Sequence, residues 1–128
     1  MTATEMNHFT ILTKNLEKTV RFYKKYLGLI EGFRPPLKFP GSWLYIDNKA
    51  VLHIIVKENV SEKANGLIDH LAFSARNLSN TIKLFEKEKI KYSLKRQPQT
   101  NVWQMFFNDP NRIKVELDFN EEETADLR

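Results

Sequence analysis

Two stretches of the chain follow one pattern: NHFTILTKNLEKTVRFY at residues 7–23 and DHLAFSARNLSNTIKLF at residues 69–85. When the second is laid over the first at an offset of 62 positions, the histidines, the central asparagines and most apolar positions coincide. Self-similarity at a fixed offset is typical of a duplicated structural unit. The sequence therefore predicts two copies of one module.

Each copy is predicted to contain a strand, a helix and three further strands. Asn15 and Asn77 are residue types that favour helix N-caps, and Gly28 is typical of a helix end. Apolar residues follow each asparagine along one helical face: Leu16, Val20 and Tyr23, then Leu78, Ile82 and Phe85. The β-like runs cover about residues 29–33, 42–47 and 50–56, and about residues 91–96, 103–108 and 112–119. The repeat continues more loosely, with residues 44–47 aligned to residues 105–108.

This pattern predicts an α+β fold of two paired βαβββ modules, at residues 6–56 and 67–119. The modules are expected to form a curved, mostly antiparallel sheet around a concave site, with the helices on the outer face. The polar residues 57–66 are predicted to link the modules, and the chain of 128 residues has the length of a single domain. Residues 121–128 are predicted to be a frayed, acidic tail.

The bulk composition excludes several classes of protein. The chain is 41% hydrophobic and has no cysteine, so disulfides, thiolate nucleophiles and cysteine-zinc sites are excluded. It lacks an apolar run long enough to span a membrane and a recognisable signal peptide, so we expect no membrane partner and a cytoplasmic location. The net charge of +4 comes mostly from lysines interleaved with glutamates, which indicates solvated helix faces rather than a nucleic-acid surface.

The only three histidines, His8, His53 and His70, fall on related positions of the two copies. His8 and His70 are each predicted to lie mid-way along a strand, and His53 corresponds to Glu116, which lies 63 positions further on. Strand alternation directs all four side chains to the face opposite the helices. His8, His70 and Glu116 form a set suited to a divalent metal such as Fe(II), and His53 is a candidate fourth ligand or general acid–base. The alternative is that these are strand histidines satisfied by ordinary hydrogen bonds.

Five further residues are candidates for binding a substrate. Arg34 could bind a carboxylate, Trp43, Tyr45 and Phe106 could form aromatic walls, and Gln104 shares the strand face of Phe106. The alternative for Arg34 is an ordinary surface charge, and the alternative for the aromatic residues is a place in the core.

The repeat, the two strand histidines, the segment LEKTVRFYKKYLGL and the segment NDPNRIKVEL resemble the vicinal oxygen chelate superfamily over about residues 6–119. This superfamily includes glyoxalase I, extradiol dioxygenases, and fosfomycin and bleomycin resistance proteins. The resemblance implies one divalent metal per site (Fe(II), Mn, Ni, Co or Zn) that chelates a small oxygenated substrate, and often a homodimer. It also implies that the ligand set His8, His70 and Glu116, with His53 as acid–base, is closest to an extradiol-type dioxygenase.

Other members of the superfamily imply alternatives. Glyoxalase I, a lyase, usually has a carboxylate at the position of His53. Extradiol dioxygenases have a further active-site histidine, which this chain lacks, and a tyrosine about where Phe106 stands. A glyoxalase I-like lyase or isomerase is therefore the next candidate. A non-catalytic antibiotic-binding protein and a metal-assisted thiol transferase are further alternatives.

Overall fold

The structure is a computed structural model that describes residues 5–59, 68 and 70–125. The chain divides into two compact units, residues 1–61 and residues 62–128. Most of the predicted linker lies outside the described residues. That the units form one domain stays a prediction.

The first unit has the predicted βαβββ order. Its elements are β1 (Phe9–Thr13), α1 (Leu16–Leu27), β2 (Ile30–Gly32), β3 (Gly41–Ile46) and β4 (Lys49–Val56). The sheet order is β1-β4-β3-β2, with β1 and β4 parallel and the other neighbours antiparallel. A short hairpin joins β3 to β4 through Asp47 and Asn48, whose φ angles of 46° and 65° fit the left-handed turn that this connection requires.

The second unit repeats this topology. Its elements are β5 (Leu71–Ala75), α2 (Leu78–Lys87), β6 (Ser93–Arg96), β7 (Trp103–Asn108) and β8 (Lys114–Phe119). The order β5-β8-β7-β6 again has one parallel pair, between β5 and β8. The α+β fold of two βαβββ modules is confirmed. No helix in the described part of the chain has the length and apolar character needed to cross a membrane.

The helix of the first unit packs with a different face from the predicted one. The core contains Phe22, Tyr23 and Thr19 of α1 together with Leu44 and Leu52 of the sheet, all of them buried. Leu16 and Val20, which share the predicted apolar face with Tyr23, are only half-buried. The buried face of α1 therefore includes Tyr23 but is rotated away from Leu16 and Val20.

The helix of the second unit packs as predicted. Leu78, Ile82 and Phe85 are buried, with exposed fractions of 0%, 5% and 0%. The Phe85 ring meets Phe107 edge-to-face at a centroid distance of 4.8 Å, so Phe107 belongs to the core.

The two helices begin differently. Asn15 caps α1 as predicted, because its Oδ1 accepts a hydrogen bond from the backbone N–H of Lys18 at 3.0 Å. Gly28 ends the helix in the left-handed conformation, with φ 76°. Asn77 precedes α2 but makes no side-chain cap, because it adopts a left-handed conformation with φ 69°. Asn77 is therefore the N-cap residue of α2, as predicted, but its side chain does not form the expected cap hydrogen bond.

The first turn of α2 is capped instead by the chain after β8. Glu123 Oε1 accepts from the Leu78 N–H at 2.7 Å, and the Thr124 carbonyl accepts from Ser79 Oγ at 2.8 Å. The Trp103 indole donates to the Glu123 carbonyl at 2.7 Å. Residues 121–125 are thus docked onto their own unit and not frayed, while residues 126–128 lie outside the described residues.

Candidate metal and substrate site

His8 and His70 occupy the same place in the two units, directly before β1 and β5. The prediction that they lie mid-way along their strands was therefore wrong, because each strand begins at the residue after its histidine. The parallel partner strands place the other two candidates equivalently. His53 is opposite Thr10 of β1, and Glu116 is opposite Ala72 of β5. The correspondence between His53 and Glu116 is confirmed by this register.

The register also identifies the aromatic neighbour of each candidate. Trp43 is opposite His53 in β3, and Phe106 is opposite Glu116 in β7. The looser sequence alignment had paired Tyr45 with Phe106, which is wrong by two residues. In the structure, Trp43 and His53 are separated from Phe106 and Glu116 by the same offset of 63 positions.

In the first unit, three flat rings form a stack. His53 lies between His8 and Trp43, with ring centroids 3.7 Å and 3.9 Å away and interplanar angles of 11° and 12°. Stacking on both faces fixes the plane of the His53 imidazole. Its remaining freedom is rotation within that plane.

Hydrogen bonds define which ring nitrogens have lone pairs. His53 Nε2 lies 3.1 Å from the Ala50 carbonyl, and His8 Nδ1 lies 2.7 Å from Asn7 Oδ1. Both oxygens can only accept, so those nitrogens donate. The neutral rings then have their lone pairs on His53 Nδ1 and His8 Nε2. A histidine anchored through one nitrogen with the other available is the usual state of a metal-binding imidazole.

The pKa of His53 is lowered from its usual value. Burial is the largest cause, and the charge of His8 and, more weakly, that of Arg34 act in the same direction, while the bond to Ala50 opposes them. His53 is therefore held neutral, with its lone pair available to a metal or a proton.

In the second unit, a hydrogen-bonded pair replaces the stack. His70 Nε2 lies 3.0 Å from Glu116 Oε1, and Gln104 Nε2 donates to Glu116 Oε2 at 3.2 Å. Glu116 is buried, with 6% of its surface exposed, on a strand whose alternate residues Val115 and Leu117 are in the core. Buried carboxylates need partners, and these two hold the Glu116 carboxylate in place.

Asp118 is a further member of this cluster that was not among the predicted site residues. Burial, followed by its hydrogen bond to Glu116 and the charge of Glu116, raises the pKa of Asp118 to about 7, against the opposing effect of His70. Asp118 is two residues after Glu116 and is opposite Gln104 in the ladder. Strand alternation places it on the face of Glu116, but nothing in the sequence marked it as part of the site.

The Phe106 ring lies at the edge of the second pair. Its centroid is 6.1 Å from the His70 ring in an edge-to-face contact. The ammonium groups of Lys95 and Lys114 lie 5.5 Å and 5.0 Å from the same centroid. The aromatic surface beside His70 is therefore bordered by positive charge.

The other two candidates make contacts within their own loop. Arg34 donates to the Phe39 carbonyl at 2.9 Å, and its guanidinium lies 5.2 Å from the Phe39 ring. The Tyr45 hydroxyl donates to the Phe33 carbonyl at 2.5 Å. Both side chains brace the segment between β2 and β3. A substrate role for either stays a prediction.

Within neither unit do the described residues group three or more His, Cys, Asp or Glu side chains so that they could hold a metal. Each unit instead contains one pair: the stacked pair of His8 and His53, and the hydrogen-bonded pair of His70 and Glu116.

Comparisons with known proteins agree with this duplicated architecture. A sequence model of the Glyoxalase/Bleomycin resistance protein/Dioxygenase superfamily matches residues 5–117. An Arabidopsis thaliana protein named Glyoxylase I 4 is 29% identical over 122 residues, which cover 89% of this chain and 70% of that protein.

Solved structures share the fold at low identity. A glyoxylase/bleomycin resistance protein/dioxygenase domain from Frankia sp. EAN1pec superposes with a TM-score of 0.75 at 15% identity, covering 96% of both chains. Lactoylglutathione lyase from Agrobacterium tumefaciens superposes with a TM-score of 0.70 at 16% identity, covering 94% of this chain and 97% of that one. The chain belongs to the glyoxalase/bleomycin resistance protein/dioxygenase superfamily.

Proposed function

We propose that this chain is a divalent-metal enzyme that converts a small oxygenated substrate by moving a proton, in the manner of a glyoxalase I-like lyase or isomerase. His8, His70 and Glu116 are the proposed metal ligands, and His53 is the fourth ligand or the base. The observation that best supports a metal is the His70–Glu116 pair, because its two donor atoms lie 3.0 Å apart. Two neighbouring ligands at about 2.1 Å from one metal, at right angles, would be separated by about 3.0 Å.

The chemistry of the donors fits the same role. Imidazole and carboxylate together suit Fe, Mn, Co, Ni or Zn, and the Gln104 amide would hold the ligating Glu116 in orientation. A bound divalent ion would act as a Lewis acid toward substrate oxygens. The protein would then need one neutral base close by.

His53 fits the requirement for a base. Its lowered pKa keeps it unprotonated near neutral pH, and Ala50 leaves its lone pair on Nδ1. Trp43 and His8 fix the ring plane, so a proton taken by Nδ1 would move along a defined direction. The name of the Arabidopsis relative favours this proton-transfer chemistry over oxygen chemistry.

An extradiol-type dioxygenase is the second candidate. It is favoured by the identity of residue 53, which adds an imidazole to a candidate set that also contains two histidines and one carboxylate. Such a set leaves positions open for substrate and oxygen on Fe(II).

The deciding experiment combines metal analysis with two substrate classes. Untagged protein would be reconstituted anaerobically with Fe, Mn, Ni, Co or Zn and offered hemithioacetals or catechols. We expect about one metal per chain and isomerisation of a hemithioacetal without oxygen uptake. Oxygen uptake with a catechol would establish the second candidate. Equal metal binding by wild type and His70→Ala would exclude the proposed ligands. The control is Glu58→Gln, which changes an exposed carboxylate outside the proposed site and should leave metal binding unchanged.

We also propose that the protein forms a homodimer. Several large apolar side chains of the first unit are exposed, Phe33 by 75% and Ile30 by 67%, and they are the surface that a second copy could cover. Sedimentation equilibrium is expected to give twice the chain mass of 15.1 kDa. A monomer at all concentrations would contradict this.

A further inference from the structure

A groove in the first unit lies on the helix side of the sheet, away from the face that contains Trp43 and His53. It has a volume of about 700 Å³ and is lined by α1 and the edge strand β2. Its lining residues are Leu16, Glu17, Val20, Arg21, Lys24, Lys25 and Glu31. The volume lies within the range of about 300–1,000 Å³ that is usual for ligand pockets.

The groove exists because α1 does not bury its full apolar stripe. Leu16 and Val20 are half-buried and form an apolar floor. Their counterparts in α2, Leu78 and Ile82, are buried by contrast. The same stripe is therefore covered in one unit and open in the other.

The covering segment of the second unit shows what kind of ligand such a site takes. The acidic residues after β8 pass from the end of β6 to the start of α2, with Arg96 donating to the Glu121 carbonyl at 2.9 Å. Glu123 then bonds to the first turn of the helix. The segment is a short, acidic stretch of chain between the helix and the edge strand of its sheet. The groove includes the corresponding first turn of α1, because Leu16 and Glu17, the equivalents of Leu78 and Ser79, line it.

The charges of the groove complement such a segment. The lining contains three cations, Arg21, Lys24 and Lys25, and two carboxylates, so positive charge is in excess. Of the two carboxylates, Glu17 and Glu31, the second accepts a hydrogen bond from Ser42 Oγ at 2.6 Å. At the position of Lys24, α2 has Glu86, which accepts a hydrogen bond from the Tyr92 hydroxyl. The first unit thus has the cation Lys24 where the second unit has the carboxylate Glu86, which is hydrogen-bonded to Tyr92.

We propose that this groove binds an extended, acidic peptide segment of a partner protein. The helix rises about 13 Å between Leu16 and Lys25, which corresponds to about four residues of extended chain. Apolar parts of the segment would contact Leu16 and Val20. Its carboxylates would meet Arg21 and Lys24.

The test uses a fluorescent peptide with the sequence of residues 119–125, FNEEETA, as the acidic probe. Fluorescence anisotropy with the full chain is expected to give saturable binding that weakens with added salt. The double variant Arg21→Glu with Lys24→Glu should weaken binding about tenfold, from two reversed surface charges. The control is Lys83→Glu, an exposed lysine at the position of Arg21 in α2, which should leave binding unchanged.

Three results would overturn the proposal. One is the absence of binding at millimolar peptide, and another is equal binding of the neutral peptide FNQQQTA. The third is a change in the amide NMR signals of Leu78 and Trp103 without a change in those of Val20 and Lys24. The peptide would then have displaced residues 121–125 from the second unit and would not have bound in the groove. Thermal unfolding of each variant would verify that it is folded.

Discussion

The first module stacks its two candidate ligands, whereas the second joins them by a hydrogen bond. Register places His53 and Glu116 on equivalent positions, so the scaffold is the same. The difference lies in the residue type. Two stacked imidazoles repel when protonated, which helps to lower the pKa of His53, while an imidazole beside a carboxylate is attracted whether or not it gains a proton. Duplication thus fixed the positions, and the residue type at each position decides whether the histidine stacks or forms a hydrogen bond.

The largest effect of a substitution on stability is expected in the cores of the two modules, where the modules are most alike. Tyr23 and Phe85 are fully buried at equivalent helix positions. Tyr23→Ala and Phe85→Ala are each expected to lower the free energy of unfolding by about 3–5 kcal/mol. Chemical denaturation would measure this, and Leu would replace Ala if a variant did not fold.

The same measurement tests whether the two units form one domain, as we propose. A single domain should give one unfolding transition that both variants shift together. Two transitions, each shifted by the variant in its own unit, would contradict it.

The next effect concerns the hydrogen-bonded pair of the second module. Glu116→Ala is expected to weaken metal binding about 100-fold or more, and Gln104→Ala about tenfold, because Gln104 acts only by orienting Glu116. Competition with a metal-binding dye would measure both. Equal losses for the two variants would mean that Gln104 does more than orient the carboxylate.

A smaller effect separates the two helix starts. Asn15→Ala and Glu123→Ala each remove a cap and are expected to cost about 1 kcal/mol of unfolding free energy. Asn77→Gly should cost nothing, because Asn77 makes no cap bond and its left-handed φ suits glycine. The exposed neighbour Glu122 provides the control, as Glu122→Ala. A loss with Asn77→Gly equal to that of Asn15→Ala would contradict the description of α2.

The smallest expected effect is a loss of stability at alkaline pH that arises from the second module alone. Burial, and the hydrogen bond and charge of Glu86, raise the pKa of Tyr92 to about 12 from its ordinary value of 10.0. The unfolded chain therefore loses this proton first, so the stabilisation is complete below pH 10.0 and is lost as the pH rises toward about 12. Denaturation of Tyr92→Phe across this range should show a shallower fall than wild type. Parallel curves would indicate that Tyr92 is not the group responsible.

The sequence predicted what depends on periodicity. The repeat of His8 on His70 and the strand alternation around Glu116 were enough to obtain the βαβββ modules, the elements and the faces of the candidate ligands. These properties are local, because each follows from a period of two or 3.6 residues.

What depends on contacts between distant segments was missed. The cap of Glu123 on Leu78 joins residues 45 positions apart, so nothing near Asn77 indicates it. The equivalence of Phe106 with Trp43, and not with Tyr45, depends on the register of the β3–β4 and β7–β8 ladders. The rotation of α1 toward Phe22 also depends on the sheet beneath it, because burying the large Phe22 and Tyr23 rings removes more apolar surface from water than burying Leu16 and Val20 would.

The docking of residues 121–125 has a practical consequence for anyone who shortens this protein. The superfamily match ends at residue 117, and β8 ends at Phe119, so either boundary would seem a natural place to stop. A chain cut there would lose Glu123 and leave the Leu78 amide and the Trp103 indole without their acceptors. The family match therefore ends eight residues before Ala125, and β8 ends six residues before it, so expression boundaries belong after Ala125.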